Sequence, residues 1–179
     1  MVVRIWDRLR GGIHGLVLGY EKSVTCPVTG VLKRDEISKI GEREVIRAKR
    51  YGRRLAVVVM DLDGFKLIND ELGHLLGDVV LAEVGRVLLA CLRVEDYVGR
   101  PGGDEFWLIF PETSIEGSEM AARRCMEAVR QKLEVVGFSY GVWGRMLDNS
   151  CDETFADFVR HADELMYDAK YRRSQQPKV

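Results

Sequence analysis

Net charge is nearly absent from this chain: 27 lysines and arginines against 28 acids leave −1 over 179 residues. No basic field exists to draw in nucleic acid in general, so any phosphate must be held by a local site. Histidine is rare, with 3 copies, and proline nearly so, with 4. The 4 cysteines, Cys26, Cys91, Cys125 and Cys151, are scattered and form no CxxC pair. That pattern argues against a disulfide framework and predicts buried free thiols in a reducing cytosol. A membrane span is missing as well. The most apolar N-terminal piece, "GGIHGLVLGY", is short and interrupted by glycines and His14, so it cannot cross a bilayer. No signal-peptide pattern precedes it, which predicts a cytoplasmic protein. There is no internal repeat and no low-complexity segment.

What remains is a globular profile, 46% hydrophobic and 31% charged, long enough for one domain with a real core. Residues 1–25 read as an arm or linker, because Gly11, Gly12, Gly15 and Gly19 make a helix costly there. From Arg34 to Tyr51 a charged helix is expected, with Ile37, Ile40 and Ala48 inward. "LAVVVM" from Leu55 to Met60 is apolar at every position, which suits a central strand buried on both faces. A helical stretch from Phe65 follows, with breaks expected near Gly73 and Gly77, and with Val80, Val84, Val87 and Cys91 on one face. A hairpin with arms "EDYVGR" and "EFWLIF" comes next. A helix with Ala122, Met126, Val129 and Leu133 inward, and the strand "VVGFSYGVW", complete the middle of the chain. The last helix carries Phe155, Phe158, Val159, Ala162, Leu165, Met166 and Ala169 on one side, opened by a Thr154/Asp157 capping box. The alternation predicts an α/β (α+β) domain: one central mixed sheet flanked by helices.

Two acidic sites share a logic within that frame. Asp61 and Asp63 end the central strand, and Asp104 and Glu105 sit at the hairpin tip. If the hairpin pairs beside the central strand, the carboxylates converge at one edge of the sheet. Gathered carboxylates repel without a cation, and hard oxygen ligands suit Mg²⁺. The bland alternatives are a solvated turn at the tip and a helix cap at Asp61.

The segment Gly102-Gly103-Asp104-Glu105-Phe106 reads GGDEF, and other motifs accompany it in order. "CPVTGVLKR", "DLDGFKLINDELGHLLGD", "SYGV" and "HADELMYDAK" resemble the companion motifs of the GGDEF domain family, the diguanylate cyclases, over about Cys26 to Lys170. The resemblance implies a catalytic domain over residues 26–174, with 175–179 a tail, and a fold similar to the adenylyl cyclase and polymerase palm core. It implies condensation of two GTP into cyclic di-GMP with release of two pyrophosphates, in a bacterial cytoplasm. Two Mg²⁺ ions per site, or Mn²⁺ in their place, would be held by Asp61, the Leu62 carbonyl, Asp104 and Glu105. Asp104 would be the second metal ligand or the base near the attacking 3′-hydroxyl. Glu105 and Lys170 complete the catalytic set that the resemblance implies.

GTP binding would fall to Gly64, Phe65, Lys66, Asn69, Asp78, Gly102, Gly103 and Arg173. The first helical N–H groups at Gly64 and Phe65 suit a triphosphate, with Lys66 and Lys170 neutralising it. The two tip glycines let backbone approach the nucleotide. Asn69 and Asp78 match the family's guanine-reading pair, and helix capping is their plain alternative. His74 reads as a structural hydrogen-bonding residue. Arg93 and Asp96 match the spacing of an RxxD site at which the product, cyclic di-GMP, inhibits. Each subunit would hold one GTP, so catalysis would need a homodimer, and the arm before Cys26 is a candidate for pairing subunits. The alternative is a silent receptor binding cyclic di-GMP through Arg93 and Asp96.

The chain departs from the family pattern at several points. Pro101 precedes the glycines and has no N–H to donate. Cys26 and Lys33 replace a usual Asp and Asn. The last motif lacks its Gly-Arg-Asn ending, so a second phosphate-binding base falls at Ser174, with Arg173 one residue short. A closing strand is also missing.

Overall fold

A computed structural model describes residues 24–133 and 137–174. Of the arm expected over residues 1–25, residues 1–23 lie outside the described residues, as do the tail over 175–179 and the side chains of Arg173 and Ser174. Val24 and Thr25 instead join the domain, through the Lys33 N–H to Val24 carbonyl bond and the Thr25–Leu32 bridge. In chain order the elements are β1 (Leu32–Lys33), α1 (Arg34–Tyr51), β2 (Arg54–Asp63), α2 (Phe65–Leu72), α3 (His74–Cys91), β3 (Tyr97–Gly102), β4 (Glu105–Pro111), α4 (Ile115–Leu133), β5 (Gly137–Met146) and α5 (Phe155–Ser174). The five strands form one mixed sheet in the order β1-β3-β4-β2-β5, as expected for an α+β fold.

Leu55 to Met60 are each 1% exposed or less, so β2 must have cover on both faces. It sits between β4 and β5, antiparallel to both. Its even-numbered side chains, Ala56, Val58, Met60 and Leu62, pack with Val80, Val84, Ala122 and Val129 from α3 and α4. Its odd-numbered ones, Leu55, Val57 and Val59, pack with Ile37 and Ile40 of α1 and Phe158 and Ala162 of α5. Two cores on opposite faces follow from the period-two alternation of a strand.

The last helix begins with the expected capping box: the Asp157 N–H donates to Thr154 Oγ1, and the Thr154 N–H donates to Asp157 Oδ2 at 2.9 Å. The bonds that the Thr154 N–H and hydroxyl donate to its carboxylate, with Arg160, hold the Asp157 carboxyl down at about 2. The helix α5 crosses β5 almost without a gap. A Cβ at Gly141 would stand 2.0 Å from the Ala162 carbonyl oxygen and 2.4 Å from the Met166 nitrogen. Only glycine permits that approach, and it carries Lys170, one turn past Met166, to the end of the sheet.

The structure corrects several details. The helical stretch breaks at Gly73, with φ 82 and ψ 157, but runs through Gly77. Gly77 serves packing instead: a Cβ there would stand 2.0 Å from Asn69 Oδ1 and 3.2 Å from Phe65 Cζ. Leu165 is exposed, because α5 turns only part of its apolar stripe inward. Of the four thiols, all free, Cys125 is fully buried and the others are half-buried. Pro101 lies where the β3–β4 register shifts, between Gly99↔Trp107 and Gly102↔Glu105. One extra residue on β3 makes a bulge, which accommodates a residue with no donor. No strand follows α5 among the described residues.

Replacing Gly141 by alanine should lower stability by about 2–3 kcal/mol, because backbone rather than a flexible side chain must give way. A shifted urea midpoint at unchanged m-value would record it.

Candidate functional site

The acids of the two motifs meet because of strand register. Asp61 on β2 stands opposite Glu105 on β4 and opposite Ser139 on β5. Odd positions of β2 face α1 and α5, so Asp61 and Asp63 emerge on that side at the end of the sheet. Asp61 caps no helix: the N-cap of α2 is Gly64, with no side-chain cap bond. Instead Lys170 Nζ donates to Asp61 Oδ1 at 2.6 Å, with half of the lysine side chain still exposed. That bond, and the charges of Asp61, Asp63 and Asp104, push the Lys170 pKa up. Ser139 Oγ donates to Asp63 Oδ1 at 2.6 Å, a partner that the sequence did not disclose.

At the hairpin tip, Asp104 gives its carbonyl to the Leu62 N–H at 3.3 Å. Burial, then the charge of Asp61, raises the pKa of the Asp104 carboxyl. Glu105 is raised too, by burial and by Asp163 and Asp61. The Trp107 indole bond and Arg34 oppose that rise. The tip is held by Arg100, whose Nε and Nη2 both donate to the Gly103 carbonyl at 2.8 and 2.6 Å. Arg100 Nη1 also reaches Cys26 Sγ at 3.5 Å, so the cysteine still serves as an acceptor at this place. Gly103 has φ 53, and a Cβ on Gly102 would meet nothing within 4 Å. The fold itself makes no demand for a glycine at 102, and the tip opens to solvent there. An open cleft of about 360 Å³ lies on the Cys26 side, lined also by Lys33, Arg34, Arg100 and Gly102.

The turn after Asp63 leads into α2, where Gly64 and Phe65 place the first helical N–H groups, which lack intrahelical acceptors. Lys66 is exposed beside them. Asn69 packs its Oδ1 against Gly77, the residue before Asp78 on α3. Asp78 is the fifth residue of α3 and not its cap, which is Gly73. His74 is exposed at the start of α3, and among the described residues its ring makes no hydrogen bond, contrary to the structural hydrogen-bonding role expected.

Arg93 and Asp96 form a closed turn: the Arg93 N–H donates to Asp96 Oδ2 at 3.0 Å, and the Asp96 N–H to the Arg93 carbonyl at 3.2 Å. Burial raises the pKa of the Asp96 carboxyl. Arg124 of α4, not singled out from the sequence, donates to the Cys91 carbonyl at 3.0 Å and lends its charge to Asp96. This group lies at the start of β3, and the GGDEF tip lies at its end. Six strand residues put the two roughly 20 Å apart.

Among the described residues no three His, Cys, Asp or Glu side chains already form a metal cage. The donor set still fits Mg²⁺, which commonly takes one or two carboxylates and completes its shell with substrate phosphates and water.

No helix among the described residues is long and apolar enough to cross a membrane. The family described as "Diguanylate cyclase, GGDEF domain" matches residues 24–176. Diguanylate cyclase DgcP of Pseudomonas aeruginosa is 35% identical over 159 residues, 84% of this chain and 23% of that protein. Cyclic di-GMP phosphodiesterase PdeR of Escherichia coli is 32% identical over 152 residues, 82% of this chain and 22% of its own. The chain therefore spans less than a quarter of either curated relative. Among solved structures, diguanylate cyclase SiaD of Pseudomonas aeruginosa, in complex with its activator SiaC, superposes with TM-score 0.78 at 33% identity. That match covers 97% of this chain and 68% of that one. Motif, sheet order and relatives agree, and the chain belongs to the diguanylate cyclase GGDEF domain family.

Proposed function

We propose that this domain is a working diguanylate cyclase, which condenses two GTP into cyclic di-GMP and two pyrophosphates. The observation that carries the reading is the direct pairing of Asp61 with Glu105, with Lys170 bonded to Asp61 and an open glycine tip beside them. In each of two displacements a 3′-hydroxyl attacks the α-phosphate of the other GTP. The new P–O bond forms as the bond to the bridging α–β oxygen breaks, and pyrophosphate leaves. Two GTP molecules must face each other, so two copies of the domain pair for catalysis.

Bound Mg²⁺, held by Asp61, Glu105 and the Leu62 carbonyl, would neutralise charge on the attacking and leaving oxygens. Asp104, beside Asp61 at the hairpin tip, is either a further metal ligand or the base that receives the 3′-hydroxyl proton. Lys170 and Lys66 neutralise phosphate oxygens, and the N–H groups of Gly64 and Phe65 receive them. Gly102 and Gly103 let the tip backbone lie against the nucleotide. Asn69 and Asp78 read the guanine edge, where Asp accepts from N–H groups that adenine lacks. Either Arg173 substitutes for the base that the family places at Ser174, or that phosphate contact is lost.

The assembled group of Arg93, Asp96 and Arg124 favours a second role for the domain. It would bind cyclic di-GMP through guanidinium–phosphate contacts and an Asp–guanine contact. In an active enzyme that site gives product inhibition. In a silent domain it would make a receptor.

Three experiments test this. With Mg²⁺ and GTP, the purified, nucleotide-free protein should form cyclic di-GMP, and Glu105→Gln should lose at least about 100-fold in rate. No product at concentrations that force pairing would leave the receptor reading in its place. Gly77→Ala should displace the Asn69 side chain, while better helix propensity offsets part of the strain. GTP affinity is then expected to fall about tenfold by calorimetry with Tm moved by only a few degrees. Arg93→Ala should leave the initial rate unchanged and raise the level at which product accumulation stops. An unaltered plateau would remove the inhibitory role from this turn.

A further inference from the structure

We propose that Trp107 is a positioning residue for Glu105, its indole N–H fixing the carboxylate in place to receive a divalent cation. The assignment rests on the cyclase reading of the same site. Glu105 and Trp107 are two apart on β4 and therefore share the face toward α1 and α5. Trp107 Nε1 donates to Glu105 Oε1 at 2.6 Å. The ring itself is held firmly. It is 8% exposed and meets Phe155 edge-on, with centroids 6.0 Å apart at 69°. Phe155 is in turn 2% exposed at the start of α5.

A glutamate at this position needs such a partner. Asp61 lies opposite it in register, and the charges of Asp61 and Asp163 both act on its carboxylate. Repulsion would turn a free carboxylate away from Asp61, which is the residue with which it must share a cation. A neutral N–H donor holds one oxygen against that repulsion, leaves the other oxygen for the metal, and brings no competing positive charge. Arg34 supplies charge from the side of α1, but the hydrogen bond that sets the orientation comes from the indole. A buried tryptophan also tends to give its N–H to whatever acceptor is near, and the substitution below separates that incidental bond from a functional one.

Trp107→Phe keeps an aromatic ring against Phe155 and deletes only the donor. The full chain would be titrated with an α,β-methylene analogue of GTP by calorimetry, with and without Mg²⁺. The Mg²⁺-dependent part of the affinity is expected to fall about ten- to a hundredfold in Trp107→Phe, the order expected for one hydrogen bond to a charged group. Trp143→Phe, remote from the acids, should match the wild type. In a Glu105→Gln background, Trp107→Phe should make no further difference. The change in tryptophan emission on adding Mg²⁺ and analogue should persist in Trp143→Phe and vanish in Trp107→Phe.

A Mg²⁺-dependent affinity within twofold of wild type would overturn the assignment, and so would an equal loss with and without Mg²⁺. Either result leaves the cyclase reading standing. If the wild type shows no Mg²⁺-dependent binding of the analogue, the cyclase reading fails and the assignment fails with it.

Discussion

The register of β2 between β4 and β5 is the constraint on which the rest of this domain depends. Six consecutive side chains of β2 are buried, and a strand of that kind is stable only with sheet on both edges and helices on both faces. Once it is placed there, its polar end is fixed in space. Asp61 lies opposite Glu105 and Ser139, and a slip of one residue would send every core side chain to the wrong face. The hydrophobic core thus holds the carboxylates together against their own repulsion.

That repulsion shapes the neighbourhood. Asp104 and Glu105 both have raised pKa values, and burial and like charge are the causes. The surrounding groups act against it one by one: Lys170 on Asp61, Ser139 on Asp63, the Trp107 indole and Arg34 on Glu105. Each counter-group comes from a different element, so the site exists only when α1, α5 and three strands have assembled. The close passage of α5 over Gly141 ties Lys170 to the same event.

The group around Arg93 is built differently. Its bonds are largely local, a turn of four residues closed on itself, with Arg124 added from α4. Position along β3 keeps it at the far end of the strand from the tip. Two groups of opposite chemistry, one acidic and one basic, therefore sit at opposite ends of one strand without cancelling each other's charge.

Much of this was legible in the chain because it depends on short-range pattern. The unbroken apolar run demanded a central strand, the GGDEF turn and its companion motifs named the family, and Thr154 with Asp157 marked the start of a helix that is capped as expected. What escaped depends on which surfaces meet. Gly77 looked like a helix break and is a contact point, because only the fold of α2 onto α3 presses Asn69 against it. Leu165 fits the apolar stripe but lies past the width that β5 covers. Trp107 could have been paired with Glu105 by strand alternation. Arg124 could not, since 31 residues separate it from Arg93 and only α4 packing brings it near. Composition and spacing determined the elements, the family and the acids, since those follow from local propensity and burial. Which groups balance those acids was decided by tertiary structure alone, because Coulomb and hydrogen-bond forces act over a few ångströms of space and take no account of distance along the chain.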